Sequence, residues 1–515
     1  MLKYLPVLIL LAFVACGNGG SVEDSPMDEY AAEAPYNAAQ ETGGAAVDEA
    51  PVAAVELMDL PPHNDYIITL EIDTETRTVQ GISRINFTNR AGIPLEDIVL
   101  RVFFNAFTEE HYPRPYFSDQ EWRLSRRDWE RGFGYMDVHY ASINNESLDF
   151  VLDGTVLTLL PSEPIAPGQT VQLLLQYNAY VPNLAHRTGG NAHSMWFGMF
   201  VPVLAVHGQD GWHTDAYYPA GEPFFLETAN YQVTVVTPLR YIVAGTGLAT
   251  EEVIEDTDTR ITHFIAHMVR DFAFAISPYF IRETIYTDSG VSILLYYYSD
   301  NLRVEHILDV ARRSMEFFEE NVGNYPYGRV SIIEVDLIGD MAAFSQAVFV
   351  DTRHFAQGHL WWMAHGLGDQ WFASVVGTNR VAEPWLDEGL TRFVQAGIFY
   401  DSVESLRGRM EREWESIYQR RDLYLNVGLG AYTNRTHYAY AQGRKAMLMV
   451  YSLYRQMGEE AFWALVNRYY HEFSFGIATV QDFIRIAEET HGESLQTFFQ
   501  QWIYHGTVPD LPEAR

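Results

Sequence analysis

The spacing of apolar residues changes part-way along the chain. From Tyr66, segments such as YIITLEIDT, TVQGISRINFTN and TVQLLLQY alternate apolar and polar residues between turn signals, which predicts half-buried strands. After SILLYYY, stretches such as VEHILDVARRSMEFFEENVG carry apolar residues on one helical face. The change predicts an α+β multidomain fold. We expect a β-rich domain, sandwich- or saddle-like, over 61–283 and a mainly α-helical domain over 284–515.

The first sixty residues follow neither pattern. Lys3 precedes the apolar run YLPVLILLAFVA, which is too short to span a membrane and leads into Cys16. This arrangement predicts a signal peptide over 1–15, and FVAC resembles the bacterial lipobox, which implies a lipid on Cys16. A plain signal peptide with an incidental cysteine is the alternative. Residues 16–60 are rich in Ala, Gly, Pro, Glu and Asp without any Lys or Arg, which predicts a flexible acidic tether.

The charge balance limits the partners. The chain has 68 acidic and 34 basic residues, a net charge of −34, which disfavours contact with nucleic acid or anionic lipid. Cys16 is the only cysteine, so no intrachain disulfide can form. We therefore expect no nucleic-acid partner, and membrane attachment through the lipid on Cys16, at the extracytoplasmic face of a bacterial membrane.

One segment combines residues that could carry chemistry. In HGLGDQWFASVV, His365 and Asp369 are four residues apart and would project from the same face of a helix. Glu388 lies in the next apolar stretch, within EPWLDEG. A helix–loop–helix hairpin could bring its carboxylate to that pair, which would give a His/Asp/Glu set that can ligate zinc.

The surrounding sequence resembles the gluzincin zinc aminopeptidases, relatives of membrane alanyl aminopeptidase. These enzymes carry HExxH, usually continuing into QWF, and then a third ligand Glu in a WLNEG-like segment. The gap from Asp369 to Glu388 equals the family's gap from its second His to that Glu. Segments that resemble family landmarks, in the family's order, are Arg270-Asp271-Phe272-Ala273, Asn324-Tyr325-Pro326-Tyr327, Gln370-Trp371-Phe372, Trp385-Leu386-Asp387-Glu388-Gly389, Tyr440-Ala441-Gln442-Gly443 and the closing FFQQWIYHGTVPDL.

The resemblance implies roles and also shows departures from them. It implies that His365, Asp369 and Glu388 stand at the zinc-ligand positions, and that Gly366 stands where the family has its general-base Glu. Glycine cannot accept a proton, and loss of a positioned base costs about a hundred- to ten-thousandfold in rate. Asp369 replaces the second His. Two carboxylates on one zinc ion leave a formally neutral site that polarises water less.

Two further positions follow from the resemblance. The family's GxMEN-like segment, whose Glu holds the substrate's amino terminus, corresponds to Gly339, Met341 and Ala342, with Ala342 at the Glu position. Tyr440 stands at the position of the family's oxyanion-stabilising Tyr. The resemblance also implies a thermolysin-like fold for the helical domain, without the helical-repeat domain that longer relatives add at the carboxyl end.

Three functions stay open at this point. The first is a pseudopeptidase that keeps a binding cleft for a peptide or another envelope protein. The second is a residual or altered zinc metallopeptidase, in which zinc is a possible but not assured cofactor. The third is a structural extracytoplasmic component of a membrane assembly. His354 and His359 are alternative ligand candidates, although neither has a carboxylate at helical spacing.

Overall fold

The computed structural model describes most of the chain in eight segments, namely residues 62–108, 133–218, 221–254, 257–300, 302–337, 341–400, 402–432 and 434–511. The predicted signal peptide, Cys16, the acidic tether and Gly339 lie outside the described residues. Within the described ranges, no helix is both long and apolar enough to cross a membrane.

The first part of the described chain is β-rich, as predicted. Its strands are β1 Asn64–Asp73, β2 Thr78–Thr88, β3 Ile98–Arg101, β4 Tyr135–Ile143, β5 Glu146–Ser147, β6 Asp149–Asp153, β7 Val156–Leu160, β8 Thr170–Tyr180, β9 Thr188–Gly190, β10 Met195–Gly198, β11 Val203–Leu204, β12 His207–Gly208, β13 Gly211–Trp212, β14 Ala229–Pro238, β15 Ile242–Gly245, β16 Leu248–Ile254, β17 Thr259–Val269 and β18 Ala273–Ser277. The largest sheet has the order β16-β17-β14-β1-β2-β8-β4-β5, and the smaller ones are β15-β18-β10-β9, β11-β3-β7-β6 and β12-β13.

Strand β1 shows why this sheet forms. Tyr66, Ile68 and Leu70 are buried, whereas Ile67 between them is 42% exposed. The strand pairs in parallel with β14 and antiparallel with β2. Alternation of apolar and polar residues therefore gives the sheet one core face and one outer face, as the pattern predicts.

A five-stranded sheet opens the second part of the chain. It consists of β19 Ile281–Tyr286, β20 Ser292–Tyr297, β21 Arg329–Val335, β22 Met341–Phe344 and β23 Ala347–Asp351, in the order β19-β20-β21-β23-β22. Strand β23 is buried throughout and β21 nearly so, so their residues lack the alternation by which strands are recognised. The predicted domain boundary at 283/284 falls within β19 and stays a prediction.

Helices form most of the rest of this part, one between β20 and β21 and the others after β23, which confirms the predicted order of a β-rich and a mainly helical domain. They are α1 Val304–Asn321, α2 Thr352–Gln357, α3 Trp361–Asp369, α4 Trp385–Phe399, α5 Val403–Ile417, α6 Arg435–Tyr438, α7 Ala446–Met457, α8 Glu459–Phe473, α9 Val480–His491 and α10 Gln496–Ile503. Two π-helices, Gln370–Val375 and Ala439–Lys445, extend α3 and join α6 to α7.

A buried arginine ties the β-rich part to the helical part. The Arg270 guanidinium donates to the backbone carbonyls of Leu226 at 2.8 Å, Val375 at 3.0 Å and Gly476 at 2.7 Å. One side chain thus satisfies carbonyl groups from a β-region loop, the π-helix after α3 and the turn after α8. This contact fixes the end of α3, which carries the candidate site.

Candidate functional site

The structure brings the three predicted ligand residues together. His365 Nε2 lies 3.9 Å from Asp369 Oδ1 and 3.6 Å from Glu388 Oε2. His365 and Asp369 project from one face of α3, as their spacing predicts, and Glu388 reaches them from the first turn of α4. All three side chains are buried, so charges here interact with little screening by water.

His365 is held in one tautomer. Gln395 Nε2 donates to the carbonyl of Trp361 at 2.7 Å, which turns Gln395 Oε1 towards His365 Nδ1 at 2.9 Å. Nδ1 therefore carries the hydrogen, and the Nε2 lone pair faces the two carboxylates. Burial lowers the pKa of His365 to about 4, against an opposing effect of Glu388. At neutral pH the ring is an uncharged acceptor.

Asp369 has no hydrogen-bond partner for either carboxylate oxygen. Burial raises the pKa of Asp369 to about 7, although Arg380 opposes that rise. The nearest guanidinium nitrogen, Arg380 Nη2, lies 4.0 Å from Oδ2. An unsatisfied buried carboxylate is costly, so Asp369 holds a proton through much of the acidic and neutral range.

Glu388 is engaged on both oxygens. Arg392 Nε donates to Oε2 at 2.7 Å, and the Tyr438 hydroxyl donates to Oε1 at 3.3 Å. Burial alone would raise the pKa of Glu388, but Arg392 and His365 outweigh it and lower the pKa to about 2. Glu388 is a permanent anion whose counter-ion is Arg392.

Arginines are the part of the site that the sequence pattern did not predict. Arg380 Nε lies 2.6 Å from Asp387 Oδ2, beside the Arg392–Glu388 pair. The spacing of four residues from Glu388 to Arg392 is the signal that could have revealed the second pair. Arg380 lies in the loop before α4, where no spacing rule applies.

Comparisons with known proteins agree with this arrangement of elements. Residues 307–502 match the family model described as Peptidase family M1 domain. The chain is 22% identical over 408 residues to Aminopeptidase N of Streptomyces lividans, covering 71% of this chain and 45% of that protein. It is 22% identical over 281 residues to Tricorn protease-interacting factor F2 of Thermoplasma volcanium, covering 50% of this chain and 34% of that protein. Residues 307–502 thus carry a peptidase family M1 domain, and these matches support the gluzincin aminopeptidase family for this chain.

Solved M1 structures show the same fold. An M1 zinc metallopeptidase from Deinococcus radiodurans superposes with a TM-score of 0.66 at 16% identity, covering 88% of this chain and 96% of that one. Aminopeptidase A of Legionella pneumophila superposes with a TM-score of 0.64 at 13% identity, covering 87% of this chain and 49% of that one. The chain spans less than half the length of the two curated relatives above.

The M1 ligand positions do not form a metal site as they stand. Among the described residues, no group of three or more His, Cys, Asp and Glu side chains is arranged to hold a metal ion. The unpartnered oxygens of Asp369 are free to bind one, but Glu388 Oε2, which faces His365, already accepts from Arg392. The assignment of His365, Asp369 and Glu388 as metal ligands stays a prediction.

Neighbouring side chains leave no space at Gly366, the residue that the resemblance places at the family's general-base position. A Cβ on Gly366 would lie 2.5 Å from Val348 Cγ1 on β23 and 3.4 Å from Met341 Sδ on β22. A Cβ on Gly368 would collide with Phe318 of α1. Both glycines therefore let α3 pack closely against the sheet and α1. This close packing offsets their unfavourable helix propensity.

The segment at the M1 amino-terminus-binding position forms an edge strand. Ala342 lies on β22 opposite Phe349 of β23 and is buried, and Met341 reaches towards Gly366. Ala342 has no carboxylate that could hold an ammonium group. Gly339 of the same segment lies outside the described residues.

Tyr440 is not the tyrosine that meets Glu388. Its ring lies under Arg420, 4.2 Å from the guanidinium carbon to the ring centroid, and under Arg444 at 4.9 Å. Tyr438 donates to Glu388 instead. The π-helix Ala439–Lys445 follows directly after Tyr438, and its wider turn changes which side chains face α4. An oxyanion role for Tyr440 stays a prediction.

His354 and His359, the alternative ligand candidates, lie beside each other. Their ring centroids are 5.9 Å apart, at α2 and the turn after it. Trp361 and Trp371 pack in or against the core, as expected for the helix that carries them.

Proposed function

We propose that this chain is an extracytoplasmic M1-family protein that has lost the family's peptide hydrolysis and keeps a role in binding a peptide or another envelope protein. The observation that carries the proposal is the contact between Gly366 and Val348. Residue 366 offers no proton acceptor, and the space that an acceptor would need is occupied by the Val348 side chain. Loss of a general base removes about two to four powers of ten in rate.

A carboxylate cannot simply be borrowed from the neighbours of Gly366. Glu388 is bound to Arg392 and Tyr438, and its lowered pKa makes it a weak base. Asp387 is paired with Arg380. The carboxylate oxygens of Asp369 have no hydrogen-bond partner. The family resemblance places Asp369 at a ligand position, however, where a bound metal would occupy its carboxylate.

The second candidate function is a residual zinc metallopeptidase. Solved neighbours are described as M1 zinc metallopeptidases, which makes zinc a plausible cofactor here. The unpartnered oxygens of Asp369, 3.9 Å from His365 Nε2, favour this candidate. His365, Asp369 and Glu388 would hold the ion, whose contribution would be to polarise a bound oxygen.

The binding role is supported by the position of β22 at the edge of its sheet. Strand β22 is the last strand of the five-stranded sheet, and Met341 on it borders Gly366 of the site helix. An extended peptide can add to such an edge through backbone hydrogen bonds. Because Ala342 replaces the family's Glu, we expect binding that does not depend on a free amino terminus.

The proposed location follows from Cys16. A lipid on this residue would hold the protein at the outer face of a bacterial membrane, with the acidic segment as a spacer. A Cys16→Ser variant should move from the membrane fraction to the soluble fraction after cell lysis. Equal membrane retention of both proteins would contradict the lipid anchor.

Hydrolysis and binding can be measured on the same protein. The full chain, purified in detergent, is assayed with chromogenic aminoacyl substrates in EDTA and in zinc, and with peptide libraries in free and N-acetylated form. We expect no turnover in either solution and equal affinity for free and acetylated peptides. Zinc-dependent turnover that disappears in a Glu388→Ala variant would establish the second candidate instead.

A further inference from the structure

We propose that Arg380 and Arg392 are built-in counter-ions that take the place of a metal ion among His365, Asp369 and Glu388. The inference goes beyond the proposed function, because a protein that binds peptides could do so with or without a metal. It concerns what keeps a buried cluster of carboxylates stable.

Arg392 binds the oxygen of Glu388 that faces His365. Its Nε lies 2.7 Å from Glu388 Oε2, and the same Oε2 lies 3.6 Å from His365 Nε2. The Arg392 side chain is 15% exposed and that of Glu388 11%. A charge-assisted hydrogen bond of this length between two nearly buried groups is a strong interaction. A metal ion at Oε2 would have to share that oxygen with the positively charged guanidinium, which repels it.

The protein holds Arg392 in this place from two other sides. The guanidinium carbon lies 5.3 Å from the centroid of the Trp362 ring on α3, a cation–π contact. A Cβ on Gly443 would lie 3.1 Å from Arg392 Nε, so a larger residue there would press on the arginine. Ring stacking and the small residue at 443 together preorganise the guanidinium towards Glu388.

Arg380 completes the charge balance. It lies 2.6 Å from Asp387 and 4.0 Å from Asp369. A further carboxylate near Arg380, Glu222, is balanced by its own partner Arg187 at 3.0 Å. The remaining two guanidinium groups face three carboxylates, so the cluster carries at most one net negative charge. A divalent ion would turn that into a net positive charge in a buried space, which is unfavourable.

Thermal unfolding of the full chain in detergent tests the proposal. After EDTA treatment, we expect the wild-type midpoint to be unchanged by added zinc. In Arg392→Met the midpoint should fall by about 5 °C or more, because one charge of a buried pair is left alone. Zinc should then restore at least half of that loss, since Glu388 Oε2 becomes available.

The chain offers a matched control. Arg407 and Glu411 on α5 are also four residues apart, in the reverse order. Their Nε–Oε1 distance of 2.7 Å equals the Nε–Oε2 distance of the α4 pair, but their side chains are 48% and 50% exposed. Arg407→Met should shift the midpoint little and give no response to zinc. The measurement involves no peptide. The counter-ion proposal can therefore fail while the peptide-binding proposal stands, and the peptide-binding proposal can fail while the counter-ion proposal stands.

Two results would overturn the proposal. One is a wild-type midpoint that falls in EDTA and recovers with zinc; the other is an Arg392→Met protein that behaves like Arg407→Met. If Arg392→Met does not fold, the double variant Arg392→Met/Glu388→Gln replaces both charges by neutral side chains. The double variant should fold, and its midpoint should not change when zinc is added. If the double variant also failed to fold, the proposal would be contradicted as well.

Discussion

Helices α4 and α5 carry the same ion pair in two surroundings. Arg392 and Glu388 on α4 lie 2.7 Å apart, as do Arg407 and Glu411 on α5. Water surrounds the α5 pair, whereas the α4 pair is packed against Trp362, His365 and Tyr438. The spacing is the same, although Glu precedes Arg on α4 and Arg precedes Glu on α5. Burial is therefore the main difference between an ordinary helix pair and the centre of the candidate site.

The largest expected change in stability comes from adding a carboxylate to the buried site beside the α4 ion pair. Gly366→Glu should destabilise the protein by about 4 kcal/mol or more, because the new side chain meets Val348 and brings an unpaired charge into the core. Chemical denaturation measures the change. The companion variant Gly366→Glu/Val348→Ala should recover part of the loss, and no recovery would mean that Val348 is not the obstacle.

The same obstacle affects restoration of the family's ligand set. From the sequence, Gly366→Glu with Asp369→His is expected to rebuild zinc affinity. The structure adds that Val348 must also be shortened, because its Cγ1 stands 2.5 Å from the Cβ position of residue 366. Since Arg392 is paired with Glu388, Arg392→Met is added to Gly366→Glu/Val348→Ala/Asp369→His, and the zinc content of this quadruple variant checks the expectation. A zinc-free but folded quadruple variant would contradict the placement of the ligand set.

A double-mutant cycle compares the two ion pairs directly. Glu388→Gln and Arg392→Met, singly and together, should show a coupling free energy of about 2 kcal/mol. The matching cycle with Glu411→Gln and Arg407→Met should show no coupling above experimental error, because that pair is exposed. Equal couplings at both helices would remove burial as the explanation of the difference.

Asp369 makes the buried cluster sensitive to pH. Its folded pKa is raised to about 7, so the folded state keeps a proton that the unfolded state releases near pH 4, and stability falls as pH rises from about 4 to about 7. The side chain introduced by Asp369→Asn cannot ionise, so this variant does not lose stability in that pH range. Its stability relative to wild type should therefore grow by about 2 kcal/mol between pH 5 and 7. Denaturation in EDTA measures the difference.

The exposed Asp309 provides the control for that series. It lies on α1, within reach of Arg313 at 3.1 Å, and its side chain is 46% exposed. A stability difference for Asp369→Asn that does not change with pH would mean that the Asp369 carboxyl is not held protonated by burial. A change as large in Asp309→Asn would point to a general effect of charge removal.

The smallest effect separates two neighbouring tyrosines. Tyr438→Phe removes the hydroxyl that donates to Glu388 and should cost about 1 kcal/mol. Tyr440→Phe should cost much less, because the ring keeps its contacts with Arg420 and Arg444. A larger loss in Tyr440→Phe would show that the described hydrogen bond is not the stabilising one.

Much of the fold could be predicted from local periodicity. Alternation in β1 and β2 and the apolar face of α1 are visible in the sequence, and they form as predicted. The spacing of His365 and Asp369 also placed them on one helix face. Strands β21 and β23 were missed because burial on both faces removes the alternation.

The rest of the site depends on contacts between distant segments. Val348 lies on a strand, and only the packing of α3 on that strand shows that residue 366 has no room. Arg380 reaches Asp387 from a loop. Tyr438 takes the contact with Glu388, and the π-helix that follows it departs from the regular helical spacing. The residues in these contacts are not separated by a regular interval along the chain, so the sequence alone does not reveal them.

The zinc content of the wild-type chain tests the central claim most directly. The full chain, purified in detergent, is equilibrated with zinc, freed of excess metal and analysed for bound metal, with the same measurement on Arg392→Met. We predict no retained zinc in the wild type and bound zinc in the variant, because Arg392 blocks Glu388. One tightly held zinc per wild-type chain would contradict the account and favour the residual metallopeptidase.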